Sequence, residues 1–309
     1  MAPLHTQATH QPMGDEMTCG YRGDIRLNEP MARHTSWRCG GVARRFLLPA
    51  DLEDLQAMLR DLPAGEPLLW LGLGSNLLVR DGGFAGSVIA MQGVTRQLER
   101  IAVDQVYVGA GVPGAKLAKF CAREGLYGAE FFAGIPGLVG GALAMNAGAF
   151  GGETWRHVVS VETLNRQGEL RRRDASDYQV AYRSVRGPAD ECFVAATLRF
   201  GTQRPQQAVD IKQLLAKRAA TQPVGTANCG SVFRNPPGDH AARLIEQCGL
   251  KGKRIGGAVV SQKHANFIIN EGDASAADIE ALIAQVRQRV ARQTGITLQT
   301  EVRIVGEPA

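Results

Sequence analysis

The sequence predicts an α+β fold with mixed sheets and a change of domain near residue 201, and three observations carry that prediction. Strand and helix signals alternate after about residue 40. A hairpin signal turning at Asn165–Gly168, followed by the strongly apolar CFVAATLRF (192–200), closes a first half. At 309 residues and 44% hydrophobic, the chain can bury one large core or two to three smaller ones.

Taken in order, VARRFLLP (42–49) reads as a strand. DLEDLQAMLRDL (51–62) reads as a helix capped by Asp51, because Leu52, Leu55, Met58, Leu59 and Leu62 fall on one face. PLLWLGLG (67–74) is a short buried strand running into Gly-Ser-Asn, and GSVIAM (86–91) is another. RIAVDQVYVGAG (100–111) reads as one strand and GAKLAKFCAREGL (114–126) as a helix. VVSVETLNRQGELRRR (158–173) is the hairpin. QAVDIKQLLAKRAATQP (207–223) is a helix stopped by Pro223, and residues 223–238 form a Gly/Pro-rich loop. DHAARLIEQCGL (239–250) is a helix, with IGGAVVS (255–261) and HANFIIN (264–270) as strands after it. ASAADIEALIAQVRQRVARQTG (274–295) is a helix opened by Ser275 and Asp278 at capping-box spacing. TLQTEVRIVG (297–306) ends the fold as an alternating strand.

The net charge of +5 suits an anionic small molecule as well as a nucleic acid. Aromatic residues do not interleave with basic runs, however, and Arg171–Arg173 sits beside the hairpin turn, so a nucleic-acid surface is not expected. The six cysteines form no CxxC pair and the six histidines no HExxH or HxxxH, which argues against a metal site or a disulfide framework and for reduced thiols in a cytoplasm. Residues 1–26 lack the apolar run of a signal peptide and read as a flexible tail. No obligate protein partner is evident.

Residues 131–152, FFAGIPGLVGGALAMNAGAFGG, hold no charge and seven glycines in a chain that is 21% charged. Twenty apolar residues are enough to cross a bilayer, but Gly134, Pro136, Gly137, Gly140 and Gly141 would weaken a lone spanning helix, so membrane insertion is not expected. Bare backbone serves a different purpose, the approach of main-chain N–H groups to an anion. Two loops offer it: Gly72-Leu73-Gly74-Ser75-Asn76 after the strand PLLWL, and Gly134-Ile135-Pro136-Gly137 leading into Leu138–Met145, with Gly140 and Gly141 inside it and Asn146-Ala147-Gly148 closing it. Ser75 and Asn76 add side-chain donors, and the helix start after Gly137 would add free amides. Together the loops suit a diphosphate, with a dry slot beside it for a flat ring. A third match, Gly109-Ala-Gly111-Val-Pro-Gly114, satisfies the dinucleotide fingerprint GxGxxG. It is set aside because Glu130, the candidate ribose contact, sits in a glycine-broken segment rather than at the end of a second buried strand.

GLGSNLLV, EFFAGIPGLVGGALAMNAGAFGGE, AYRS, NCGSVFRNP, HANFIIN and TEVRIVG occur in this order over roughly residues 27–305. That set resembles the UDP-N-acetylenolpyruvoylglucosamine reductase (MurB) family. The resemblance implies a flavin domain of the vanillyl-alcohol-oxidase (PCMH) type over residues 27–201, in two subdomains and with noncovalent FAD. It also implies a substrate domain over 202–309, whose last strand carries a catalytic glutamate. Leu138 departs from the family pattern, which commonly has a small hydroxyl residue there. The implied reaction reduces the enolpyruvyl ether of a UDP-sugar to a lactyl ether, with NADPH as hydride donor. Hydride reaches C3 through FAD, which leaves side chains to hold the carboxylate, stabilise enolate-like charge and protonate C2.

On the family pattern, Ser231 is the proton donor and Arg183 the carboxylate partner. Glu301 is the acid that polarises the carboxylate, expected to be protonated during turnover because an ionised carboxylate would repel the forming enolate. Arg218 and Asn235 are expected to touch the substrate. Read without the resemblance, Ser231 is a turn serine, Arg183 a surface arginine and Glu301 part of a solvated polar face. Cys229 lacks an activating partner for nucleophilic work, and His264 reads as a structural histidine. An FAD-linked oxidase sharing only the flavin domain, or a non-enzymatic nucleotide-binding protein, would carry the same glycine loops.

Overall fold

The computed structural model describes residues 20–206 and 209–309. The first nineteen residues of the expected tail lie outside that range, and its last three, from Asp24, are already strand. Strands Asp24–Pro30, Val42–Leu48, Phe84–Ala90 and Leu68–Leu71 form a four-stranded sheet in that spatial order, antiparallel in the first pair and parallel in the others. Helix α1 (Leu52–Asp61) packs on it through Leu55, Met58 and Leu59, against Leu47 and Ile89. Its cap is the expected one, since the Asp51 carboxylate accepts from Asp54 N at 3.0 Å.

A second, five-stranded antiparallel sheet follows the order Leu170–Asp174, Val158–Asn165, Glu191–Arg199, Gln105–Gly109, Leu98–Arg100. The hairpin turns where expected, with Gly168 N bonded to Asn165 O at 3.0 Å. Helices α2 (Gly114–Arg123) and α3 (Val139–Met145) share its core with Phe131, Phe132 and Trp155. The single strand expected over 100–111 is instead a hairpin, closed by Ile101 N to Gln105 O at 3.0 Å. Its turn residues Ile101 and Val103 are apolar yet exposed, so hydrophobic patterning runs straight through the reversal.

In the C-terminal half, helix α4 (Ile211–Thr221) packs back on the first half, with Ile211 against the core that holds Phe131 and Phe132, while α5 (Ala241–Gln247) and α6 (Ala276–Thr294) gather around short strands at Arg254–Ile255, Ala258–Val260 and Ile268–Asn270. The two strands expected at 255–261 and 264–270 are shorter than the apolar runs, because Gly256 turns the chain at φ +50° and residues 264–267 form a turn closed by Phe267 N to His264 O. This half is tied to the first. Trp37 is fully buried in its core, donating Nε1 to Ile268 O at 2.8 Å while Asn270 Nδ2 donates to Trp37 O at 2.8 Å. The final strand, Arg303–Val305, runs parallel to Leu77–Val79 of the first half.

The predicted final strand over 297–306 is therefore only half right. Residues 299–301 pair with 232–234 through Arg234 N to Gln299 O at 2.9 Å and Glu301 N to Val232 O at 2.8 Å, and the chain changes partner only after Val302. Among the described residues no helix is long and apolar enough to cross a membrane, and α3 takes just seven residues of the charge-free stretch.

The capping box at Ser275 and Asp278 is present, and Asp81 reinforces it from the other half of the chain. Its two carboxylate oxygens accept from Ala276 N and Ala277 N, each at 2.9 Å. Asp81→Ala removes both bonds and is expected to lower unfolding stability by about 1 kcal/mol, as loss of a helix cap does, measured by urea denaturation.

Candidate active site

The first glycine loop follows strand Leu68–Leu71 and turns back into Leu77–Val79. Gly74 sits at φ +61°, and any Cβ there would collide with the carbonyl of His34. Among the described residues the amides of Gly74, Ser75 and Asn76 have no acceptor in the protein. The Asn76 side chain is engaged, with Nδ2 donating to Glu301 O at 3.1 Å. Asn76 therefore has a free amide, and its carboxamide is engaged through Nδ2 alone.

The second loop faces the first. Ser75 Oγ is 3.5 Å from where a Gly137 Cβ would stand, and Leu138 Cδ1 is 3.6 Å from the equivalent point at Gly72. Leu138 is buried at the N-cap of α3 and fills the seam between the loops with carbon. Two of the amides expected to be free at the start of α3 are taken, since Val139 N bonds Val112 O and Gly140 N bonds Ala110 O, each at 2.9 Å, while those of Leu138 and Gly141 have no acceptor among the described residues. The partner is the turn that mimics a dinucleotide fingerprint. That turn lies between antiparallel strands and α2, and its Gly114 N bonds Gly137 O at 3.1 Å. The rejected motif thus braces the real loop.

The remaining loop residues divide into two groups. Gly141 has open space where a Cβ would project, and Pro136 lines a cleft. Gly134 lies under the Phe150 ring and Ile135 packs on the core beneath. Asn146, by contrast, is a left-handed helix terminus at φ +43° whose side chain is spent within the protein: Oδ1 accepts from Trp155 N and Nδ2 donates to Ala181 O, both at 3.1 Å. Ala147 O accepts from Thr154 N and Oγ1. Gly140 packs on Ala110.

Asn146 and Gly148 have a second task. Their carbonyls accept from Arg183 Nη1 at 3.2 Å and Nη2 at 2.7 Å, fixing the plane of that guanidinium. Arg183 stands at the tip of a hairpin, Gln179–Ala181 with Ser184–Arg186, at φ +54°. Its Nε lies 3.0 Å from Glu301 Oε1 as an ion pair, but the N–H is not aimed along that line and makes no hydrogen bond. Burial raises the Glu301 pKa, against the pull of Arg183 and then Arg234. Glu301 is thus a carboxyl whose hold on a proton is strengthened by burial although Arg183 pairs with it.

Ser231 adjoins this pair through backbone. Val232 O holds Glu301 N, while Asn266 clamps the same segment with Phe233 N to Oδ1 at 3.0 Å and Nδ2 to Phe233 O at 2.8 Å. Cys229 points away, its buried thiol 3.6 Å from Gly74 O and pushed up to about 12 by burial. His264 is likewise structural: burial lowers its pKa, its ring packs edge-on against Phe267 and Nδ1 accepts from Asn266 N.

A cleft of about 410 Å³ is lined by Ser75 and Pro136 from the two loops, Arg218 from α4, and Gly230 beside Ser231. Ser36 and Arg38 also line it, and sequence reasoning passed over both because their segment has no periodicity or spacing to mark it. Asn235 is not among the lining residues. It is exposed, and its Oδ1 accepts from Ala241 N at 3.0 Å at the start of α5, while its Nδ2 has no partner among the described residues.

Comparison with known proteins places these features in context. Residues 222–305 match the family described as UDP-N-acetylenolpyruvoylglucosamine reductase, C-terminal domain, and residues 43–174 match FAD binding domain. The UDP-N-acetylenolpyruvoylglucosamine reductase of Alkalilimnicola ehrlichii is 61% identical over 92% of this chain and 96% of its own length. That of Nitrosococcus oceani is 59% identical over 96% of this chain and all of its own. A crystal structure of the reductase from Thermus caldophilus superposes with a TM-score of 0.73 at 31% identity, covering 92% of this chain and 98% of that one.

Two substitutions separate folding from ligand binding. Gly141→Ala meets no atom and replaces a helical glycine, so its fold is expected to gain about 0.5–1 kcal/mol, and a fall in flavin retained on purification then reports a ligand at that face. Gly74→Ala is expected to lose both stability and flavin, read from thermal melting and the visible spectrum.

Proposed function

The chain belongs to the UDP-N-acetylenolpyruvoylglucosamine reductase family of FAD-dependent oxidoreductases, and on that premise we propose that it reduces UDP-N-acetylglucosamine enolpyruvate to UDP-N-acetylmuramate, with NADPH as hydride donor, in cytoplasmic peptidoglycan precursor synthesis. The observation that carries this reading is the Arg183–Glu301 pair, tied through Val232 O to the segment of Ser231, whose neighbour Gly230 lines the cleft.

The residues present fit FAD. Unpaired amides at 74–76, the Ser75 hydroxyl and the open face of Gly141 form a cradle for a diphosphate and a flat ring. Leu138 offers no hydroxyl, so the main chain carries that task. When bound, FAD supplies the hydride chemistry that no side chain can. Residues 27–201 serve the cofactor and 202–309 the substrate in this division of labour.

The protein's own groups then have separate tasks. Arg183 presents a guanidinium whose plane is set by two carbonyls, ready to pair with the substrate carboxylate. Glu301, whose pKa burial raises, donates in its protonated form to the same carboxylate as negative charge builds at C2 and the carboxylate oxygens. Ser231 delivers a proton to C2. A hydroxyl suffices because protonating a carbanion-like carbon is strongly downhill, and the deeply buried Cys229 is no competitor. Arg218, half-buried and with its pKa lowered by that burial, faces the cleft as a partner for the anionic UDP portion.

Ser231→Ala is expected to bleach normally with NADPH but to reduce the enolpyruvyl substrate about 10²–10⁴-fold more slowly, as loss of a general acid does. Full turnover in that variant would remove Ser231 from the reaction, and turnover of the wild type with oxygen alone as oxidant would favour the oxidase reading. The protonated form of Glu301 is the active one and its pKa is raised, so rate falls as pH rises through that raised value. Glu301→Gln is expected to be slower and to lack this alkaline limb, which a pH–rate profile checks.

A further inference from the structure

We infer that Arg38 is a binding residue for the diphosphate of the substrate, the second cation of the cleft beside Arg218. The inference rests on the UDP-sugar reading given above and gives a task to a residue that this reading leaves idle.

Backbone geometry singles Arg38 out. It sits at φ +57°, a left-handed conformation that glycine or asparagine meets at less cost than arginine. The turn around it is held on several sides. Arg38 N donates to Thr35 O and Thr35 Oγ1 to Cys39 O, each at 3.1 Å, and Ser36 N donates to Gly74 O at 3.1 Å. The flanking Trp37 and Cys39 are buried, and Trp37 is anchored by its bonds to Ile268 and Asn270. Between these two neighbours the Arg38 side chain is exposed and lines the cleft, with no hydrogen bond or ion pair among the described residues. A turn alone would be served by a smaller residue, so the strain points to a task for the guanidinium.

Charge gives the ligand its class. The charged residues that line the cleft are Arg38 and Arg218, and no acid lines it, while Ser36 and Ser75 add hydroxyls. Arg218 is half-buried, and its side chain is engaged only through Nε, which donates to Gln222 Oε1 at 3.2 Å. Two guanidinium groups without a carboxylate suit a ligand with two negative charges, since each planar fork can take a pair of phosphate oxygens. A diphosphate has that form. The substrate carboxylate is assigned to Arg183 and Glu301, and the flavin diphosphate to the amides at 74–76, which leaves the UDP diphosphate as the anion for this cleft. No charge changes at those phosphates during reduction, so Arg38 binds ground state and transition state alike.

The test titrates the flavin-loaded enzyme, without NADPH, with the enolpyruvyl substrate and separately with UDP, which has the diphosphate but neither the carboxylate nor the alkene. Arg38→Asn removes the guanidinium in favour of a residue that suits left-handed backbone, and Arg38→Lys keeps the charge without the fork. Both variants are expected to match the wild type in flavin content and thermal melting. In Arg38→Asn, the Kd values of substrate and of UDP are expected to rise by the same factor, about 10–100-fold, as loss of a hydrogen bond to a charged group does. Arg38→Lys is expected to fall between that variant and the wild type. In turnover, KM is expected to rise while kcat at saturating substrate stays within about twofold. Unchanged Kd values, a loss for the substrate but not for UDP, or a fall in kcat at unchanged KM overturns the inference and leaves the UDP-sugar reading standing. Loss of flavin from the variants assigns Arg38 to the cofactor instead, and overturns it too. A wild-type enzyme that neither binds nor reduces the enolpyruvyl substrate overturns the proposed function, and the inference with it.

Discussion

Glu301 is held from both sides by its own main chain, and the site depends on that constraint. Its amide is fixed to Val232 on the segment that carries Ser231, and its carbonyl to Asn76 on the first glycine loop. Arg303, two residues on, donates its amide to Asn76 O at 3.1 Å before the chain joins Leu77–Val79 as a parallel strand. One short run of backbone thus ties the first glycine loop to the segment that carries Ser231. Side-chain contacts alone would leave that distance to rotamers. Peptide hydrogen bonds set it within tenths of an ångström, which is the tolerance that proton delivery to a specific carbon requires.

The opposite wall of the site is built by strain. Asn146, Phe150 and Arg183 all adopt left-handed backbone, which is uncommon outside glycine and for a bulky residue such as Phe costs of order 1–3 kcal/mol. They are connected. Asn146 O and Gly148 O receive Arg183, and Phe150 turns the hairpin between Gly148–Ala149 and Gly152–Glu153 while covering Gly134. A relaxed hairpin tip would aim the Arg183 side chain elsewhere. Strain of this kind persists where neighbouring bonds over-determine the conformation, and here Trp155 N to Asn146 Oδ1 and Nδ2 to Ala181 O supply them.

Legibility in the sequence followed the range of the signal. Helix caps at Asp51 and Ser275 and the Asn165–Gly168 turn depend on neighbours within four residues, and all three lie where the sequence puts them. The final strand failed because residues 299–301 and 303–305 have different partners, and alternation of side chains records only that the chain is extended. Ser36 and Arg38 were invisible for a related reason. They reach the cleft because Trp37 between them is anchored in a core 231 residues away in sequence, through its bond to Ile268. Asn235 has a structural task that the sequence did not signal, since its acceptor oxygen holds the first amide of α5.

The charge-free stretch at 131–152 has two physical causes, and only one is a ligand. Phe131, Phe132, Ala133, Val139, Ala142 and Leu143 lie in the core beneath the antiparallel sheet, where a charge would be costly whatever the protein binds. The exposed backbone is confined to the turn at 135–137 and to the Gly141 face, and the intervening amides of Val139 and Gly140 are already bonded to the 110–112 turn. The stretch is therefore better described as a core segment with two openings than as a continuous phosphate cradle. That division also explains why Leu138 is tolerated: the seam between the loops needs carbon to exclude water from Gly72, while donors for an anion come from the opposing loop at 74–76.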